Sequence, residues 1–507
     1  METAINSERT MKNRNSIYSD CNPKLVQIFE SAGHPAKVMC VALDYAKSDH
    51  TALFCNGLGD MIQSSFSFEN NLAGTKFLLE KVRACAKQRK IKPEHVFFGG
   101  EDCPSFAENF LRQLRHEKFL VIRVNAGEAK RQRDNNQASN DSLDLLGIAR
   151  CCLKRHGSTV EDLPQAYASL RIVNRDRDKV VRLRTITSNR IHTYVDRLLP
   201  GFLDQTNSGL APFCKASLDL MAEGLSHQKI NHRSQSALSQ WLGHRQVEEP
   251  GEVARKLKKL AKSVPGAAPQ QTLLLQNTLS RQIELYRCLD KNIESMNREM
   301  AYWLARTPGA LLTSINGIGI TLAAGWIAEL GPPKQWRCAD RLCSYGGVVP
   351  RSKQTGGPGQ EPVTGKVGQR ANKRFKNTLL QSVLKVRQHG SPEWLQTIDR
   401  LHSQGSHVDN AIAKRLVRVC KFLVTTGTLY RPKALMAAGT PKATLSDYYQ
   451  SLWKKLLPKW DQKADLAEVF SPKNPLGEWR QMAREIYALD LRLPRQQGQP
   501  HASVSTP

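Results

Sequence analysis

Four carboxylates stand where the surrounding pattern would hold them together: Asp44, Glu101, Asp141 and Asp144. Carboxylate oxygens are the ligands that hard divalent cations take, and four of them suit two Mg²⁺ (or Mn²⁺) ions. Paired metals about 3.5–4 Å apart activate one oxygen and stabilise the leaving oxygen at phosphorus. Taken singly, each acid reads equally well as a turn cap or a solvated side chain. The ordered set points to phosphoryl-transfer chemistry.

The elements that must carry these acids follow from local pattern. Val38 to Leu43 is an uninterrupted run of small and β-branched apolar residues that ends in Asp44. It predicts a buried central strand with an acid at its tip, and strand tips are where α/β sheets place their chemistry. Thr51–Cys55 and Gln63–Phe68 read as further strands, and Leu72 to Gln88 as a helix with Phe77, Leu78, Val82 and Ala86 on one face. Val96–Phe98 is a short strand leading through Gly99 and Gly100 to Glu101; Pro104 opens a helix to about His116, and Phe119–Val124 is another strand. Three strands, a helix, a strand, a helix and a strand is the order of a ribonuclease H-like (RuvC-like) α/β sheet. A polar, basic stretch with Lys130, Arg131 and Arg133 then precedes a helix whose Asp141 and Asp144, three apart, share one face.

Composition narrows the partner. The chain has 507 residues, with 74 Lys plus Arg against 46 Asp plus Glu, a net charge of +28. A surplus that large, spread along the chain, predicts a polyanionic partner and salt-sensitive binding, with nucleic acid favoured over a membrane surface. No window approaches the ~20 apolar residues of a membrane span, and the polar N-terminus carries no secretion signal. The 12 cysteines include no C-x-x-C pair, which fits reduced thiols in a cytosol and excludes a zinc or disulfide framework.

Downstream the pattern is mostly helical. Pro164 to Phe202 carries Arg175, Arg177, Lys179, Arg182, Arg184, Arg190 and Arg197 around an apolar stripe, a phosphate-contacting or solvated face. Asp204 to Gln270 carries little signal beyond breaks at Pro250-Gly251 and Pro265-Gly266. In Gln271 to Ala305, Tyr286, Leu289, Ile293, Met296, Met300 and Trp303 follow coiled-coil spacing, which pairs two protomers or packs within one. Gly317-Ile318-Gly319 between two helical patterns suggests a helix-hairpin-helix, whose turn amides grip a phosphate. Ser344 to Asn377 is glycine-rich, holds hydroxyls and includes Arg351, Lys353, Lys373 and Arg374 among its bases. Such a loop can bring a nucleophile to a phosphodiester, or simply hold DNA.

The patterns divide the chain into a flexible leader (1–36), a RuvC-like catalytic domain (37–157), a helical connector with an insertion and coiled coil (158–310), a C-terminal domain with the hairpin and loop (311–430) and a helical extension with a disordered tail (431–507).

At this point the chain resembles the DEDD transposases of the IS-one-ten (IS110) insertion-sequence family, including its IS-eleven-eleven branch. VALDYAK is similar to the family's opening-Asp strand, FFGGED to its Glu strand, and VNAGEAKRQRDNNQASNDSLDLLGIAR to its loop and Asp-x-x-Asp helix. SINGIG, AELG, SYGGVVPR and RANKRF resemble the second block. The resemblance implies metal ligands at Asp44, Glu101, Asp141 and Asp144. It also implies a covalent hydroxyl nucleophile where the family has serine, which falls on Thr355, with Ser352 the nearest serine. Asp204 to Gln270 looks like an insertion relative to most members. The resemblance further implies a dimeric or tetrameric recombinase that joins donor and target DNA in a bacterial cytosol, guided by a structured noncoding RNA of the bridge-RNA type. A RuvC-like junction nuclease using water, and a non-catalytic nucleic-acid-binding remnant, are the alternative expectations.

Overall fold

A computed structural model describes residues 21–101, 105–133, 141–336, 338–353, 363–367, 371–403, 408–427 and 430. Two compact units divide between Asp162 and Leu163.

The first unit is built on one mixed sheet. Strands β1 (Met39–Asp44), β2 (Asp49–Asn56), β3 (Met61–Glu69), β4 (Val96–Gly100), β5 (Leu120–Arg123) and β6 (Ser158–Thr159) run in the order β3-β2-β1-β4-β5-β6. β1 pairs antiparallel with β2 and parallel with β4, and β4 pairs parallel with β5. This is the ribonuclease H-like arrangement. β1 shows no polar alternation because both faces are covered. Met39, Val41 and Leu43 pack with Leu78, Val82 and Leu114, and Cys40 and Ala42 pack with Leu25, Ile148 and Cys152. The period of two therefore splits one apolar run between two cores.

Helices cover those faces. The leader expected through residue 36 contains α1 (Pro23–Ala32), capped by the Asn22 side chain and anchored by buried Leu25 and Phe29. Two anchors four residues apart are too few to show a period in sequence. α2 (Leu72–Gln88) stands where its pattern placed it. α3 (Glu108–His116) begins after a 3-10 turn at Ser105–Ala107, later than the expected start at Pro104. α4 (Ala126–Arg131) and α5 (Asp141–Leu153) complete the unit. Gly99 lets α5 approach β4, since a Cβ there would run into the Cys152 sulfur.

The second unit is mostly helical. α6 (Gln165–Leu198) lies antiparallel to α12 (Pro269–Ala305), tied by Arg177 to Asn297 and Arg184 to Asp290. The coiled-coil seam thus has an intrachain partner. Between them, α7 (Gln205–Ser208), α8 (Lys215–Ala222), α9 (His227–His232), α10 (Gln235–Gly243) and α11 (Pro250–Ser263) pack with the end of α6 and the start of α12 around a second core, including Ile191, Met221, Ile230, Leu238, Leu257 and Leu279. A further core surrounds α13 (Ile320–Leu330), whose Trp326 is fully buried against α15 (Lys373–His389). α14 (Ala339–Tyr345), α16 (Pro392–Ser403), α17 (Val408–Thr426) and the antiparallel pair β7 (Pro350–Lys353) and β8 (Val363–Val367) complete it.

The helix-hairpin-helix expectation needs correction. Its first arm is a buried 3-10 segment, Pro308–Ser314, not an α-helix. Gly317 has φ +93°, and a Cβ there would lie 2.5 Å from the Lys385 carbonyl. That glycine serves close packing on α15. Among the described residues no helix is long and apolar enough to cross a membrane.

Candidate active site

β1 delivers Asp44 as its last residue, and Leu43 pairs with Gly100 on the neighbouring parallel strand. Asp44 and Glu101 therefore leave adjacent strands at the same end. The space between the strand tips is shaped by Gly100, where a Cβ would collide with the Tyr45 hydroxyl. α5 packs on β1 through Leu145, Ile148 and Cys152, which brings its first turn, with Asp144, toward the two strand tips. Asp141 is the first residue of α5; its side chain lies outside what the structure describes.

Three of the acids stand close enough to act on one another by charge. Burial pushes the Glu101 carboxyl above the usual carboxylate range; the charges of Asp144 and Asp44 push it further, and Arg133 opposes them. Arg133 stands 2.5 Å from Asp144 Oδ1, with their side chains 8% and 21% exposed. Glu101 Oε1 is buried without a hydrogen-bond partner among the described residues. An orphaned buried acceptor costs about 1–3 kcal/mol, and charged neighbours of like sign add to that. An all-oxygen donor set with an unsatisfied carboxylate fits a hard divalent cation. Among the described residues, however, no three of His, Cys, Asp and Glu stand in ligating geometry.

Other expected site residues are distributed as follows. Lys130 and Arg131 are exposed at the end of α4, and Arg182 and Arg190 are exposed on α6. Three of their α6 neighbours are committed within the protein: Arg175 to Glu329, Arg177 to Asn297 and Arg184 to Asp290. Lys373 and Arg374 are exposed in the first turn of α15. Gly319 is the N-cap position of α13. Arg351, Ser352 and Lys353 lie in β7, where only the backbone is described, and Thr355 falls outside the described residues.

Two groups were not singled out from sequence as site residues. Arg133 belonged to the basic stretch, but only the fold aims it at Asp144. Glu329, in the AELG motif, is buried and accepts from Arg175 Nε at 2.9 Å and from Asn372 Nδ2 at 3.0 Å. Asn372, in the RANKRF motif, also caps α15 through the Phe375 amide. The two motifs are thus joined by one carboxylate.

A ribonuclease H-like sheet with acids at the tips of β1 and β4 and on the helix packed behind them defines the DEDD class of nucleic-acid enzymes. The transposase model DEDD_Tnp_IS110 matches residues 41–200, and the model of the transposase IS116/IS110/IS902 family matches residues 309–398. Both models describe IS110-type insertion-sequence transposases, and that is the family the chain is similar to. It is also similar to the "Insertion element IS116 uncharacterized 44.8 kDa protein" of Streptomyces clavuligerus, at 23% identity over 230 residues. That match covers 43% of this chain and 55% of the relative, so the chain spans about half the length of the curated relative it matches.

Proposed function

We propose that this chain is a DNA strand-transfer recombinase in which Asp44, Glu101, Asp141 and Asp144 hold two Mg²⁺ or Mn²⁺ ions. The observation that carries this reading is the convergence of Asp44, Asp144 and the orphaned Glu101 carboxylate at one end of the sheet. Bound divalent cations would neutralise charge on the scissile phosphate and polarise its oxygens.

The chain's own groups do the rest. The Thr355 hydroxyl is the nucleophile: its Oγ1 forms a bond to phosphorus while the bond from phosphorus to a sugar oxygen breaks. The released sugar hydroxyl takes up the proton. A hydroxyl from a second strand then reverses the exchange, freeing Thr355 and joining donor to target DNA. Exposed Arg182, Arg190, Lys373 and Arg374, together with Arg351 and Lys353, hold phosphates. The likeness to the family models supports an insertion-sequence role, and with it a homodimer or homotetramer and guidance by a structured noncoding RNA encoded beside the gene.

The test uses purified full-length protein, Mg²⁺ and the DNA flanking its gene, with RNA recovered from the same preparation. A discrete structured RNA and a DNA-linked protein band on a denaturing gel, absent in Thr355→Ala and in Asp44→Ala, is the expected result. Cleavage that persists in Thr355→Ala with no linked band would favour water as nucleophile, or Ser352 if only Ser352→Ala removes the band. DNA binding without any cutting would leave a non-catalytic binder.

A further inference from the structure

Residues 201–308 fall between the two family-model matches, and the helices α7 to α11 within them form a packed module. α9 and α10 are two short helices separated by Arg233 and Ser234, both extended, with φ/ψ of −69°/135° and −62°/156°. That break turns the chain between the helices rather than continuing one axis. Each helix is capped by a serine: Ser226 accepts from the Lys229 amide and Ser234 from the Ala237 amide.

α10 is held from one side only. Leu238 and Leu242, four apart, are fully buried. Its last turn is braced on α8, because Glu223 accepts from Trp241 Nε1 at 3.2 Å and from Arg245 Nη2 at 2.9 Å, while Asp219 accepts from Arg245 Nε at 2.9 Å. The opposite ridge, Ser236, Gln240 and His244 with Ala237 beside it, is exposed. No charged residue occurs from Gln235 to Gly243. A solvent face normally mixes charged with polar residues; this one carries amide, hydroxyl and methyl groups, with the His244 imidazole at its end. Those are the groups that read base edges: Gln pairs with adenine N6 and N7, Ser with several edges, and a small apolar group with the thymine methyl.

Charge lies beside it. Lys259 and Lys262 are exposed on α11, and Lys258 Nζ donates to the Asn231 carbonyl in the last turn of α9 at 2.9 Å. That contact sets the basic side of α11 against the break before α10. Among the described residues, no large exposed apolar side chain occurs between Ile186 and Leu273, so the exposed face of the module is polar. A helix does not fit the narrow major groove of A-form RNA but does fit that of B-form DNA.

We propose that α9 and α10 form a helix-turn-helix whose second helix reads the major groove of duplex DNA through Ser236, Ala237 and Gln240, with the α11 lysines on phosphate. This activity is separate from strand transfer and requires no metal.

The experiment selects from a pool of duplex DNA with a randomised core, using full-length protein freed of RNA, in EDTA. Wild type should enrich a short motif. Ser236→Ala with Gln240→Ala should lower affinity for the selected duplex by about tenfold or more while leaving a scrambled duplex unchanged. Gln240→Glu should exchange a preference for adenine for one for cytosine. Lys259→Ala with Lys262→Ala should weaken both duplexes and flatten the salt dependence by about two units of slope. Equal melting temperatures confirm that the surface variants fold. An unchanged motif and affinity in the Ser236 and Gln240 variants would overturn the proposal. So would an effect of these residues confined to RNA hairpin probes.

Discussion

Arg133 and Asp144 meet by charge and not by an aligned hydrogen bond. Their closest atoms are 2.5 Å apart, yet Arg133 Nε and Asp144 Oδ1 are both buried with no hydrogen-bond partner among the described residues. The guanidinium supplies positive charge beside Asp144 and Glu101, in the region where the proposed cations would act. Arg133→Gln should therefore destabilise the metal-free protein by about 1–3 kcal/mol. It should also enlarge the rise in melting temperature that Mg²⁺ produces. A Mg²⁺ shift identical to wild type would mean that Arg133 and the cation do not share the same charge.

Glu101 is the complementary case. Its Oε1 is buried without a hydrogen-bond partner among the described residues and like charge crowds the carboxyl, so it destabilises the metal-free protein when ionised. Glu101→Gln removes that charge and should be at least as stable as wild type at neutral pH without metal. It should also lose most of the cation-induced stabilisation, which for a site filled at a hundredfold excess over Kd amounts to about 2.7 kcal/mol. Thermal melts in EDTA and in Mg²⁺ separate the two effects. A variant that is clearly less stable in EDTA would show that Glu101 serves packing and not cation binding.

The placement of Asp44 and Glu101 at strand tips was legible because both sit at the ends of strongly patterned elements. The apolar run into Asp44 and the Gly99-Gly100 step before Glu101 are local signals, and local signals survive in a sequence. What was not legible depends on tertiary return. Arg175 and Arg184 look like Arg182 and Arg190 in sequence, yet the first two find Glu329 and Asp290 more than a hundred residues away. Residues 204–250 gave little signal because their helices are short and bury few apolar residues each, too few to establish a 3.6-residue period; only α11 beyond them buries a full apolar stripe. α1 escaped for the same reason.

The division among the α6 arginines can be measured. Arg182→Ala with Arg190→Ala should leave the melting temperature within about 1 °C and reduce the slope of log affinity against log salt by about two, because exposed arginines on phosphate act through counterion release. Arg175→Ala should instead destabilise, since it strips the buried Glu329 of its charge partner. If Arg182 and Arg190 prove silent in DNA and RNA binding at low salt, that face is only solvated.

Glu329 gives a pH dependence with a definite sign. Burial alone would raise its carboxyl, but hydrogen bonds from Arg175 and Asn372, together with the charges of Arg175 and Arg171, outweigh burial and hold it below the usual range. A depressed acid contributes stability that is fully present above its unfolded pKa, near 4.3, and is lost as pH falls through the lower folded value. Wild type should therefore lose stability below about pH 4.5 more steeply than Glu329→Gln. At pH 7 the variant should be weaker by about 1 kcal/mol, because the half-exposed Arg175 guanidinium keeps part of its solvation when Glu329 is replaced. Parallel acid titration curves for the two proteins would remove Glu329 from the account.

Gly317 and Gly319 differ in what they tolerate, and the difference separates packing from phosphate binding. Gly317 occupies positive φ with the Lys385 carbonyl where a Cβ would go, whereas Gly319 has φ −88° and nothing described within 4 Å of a Cβ. Gly317→Ala combines backbone strain with a steric clash against α15 and should cost about 2–4 kcal/mol. Gly319→Ala should change stability by less than about 1 kcal/mol. If the turn amides contact DNA closely, Gly319→Ala will weaken binding while leaving the melt unchanged, because only a ligand brought against that surface can meet the new methyl. Unaltered binding by a folded Gly319→Ala would restrict this turn to a structural role, with Gly317 alone explaining why the chain spends a glycine there.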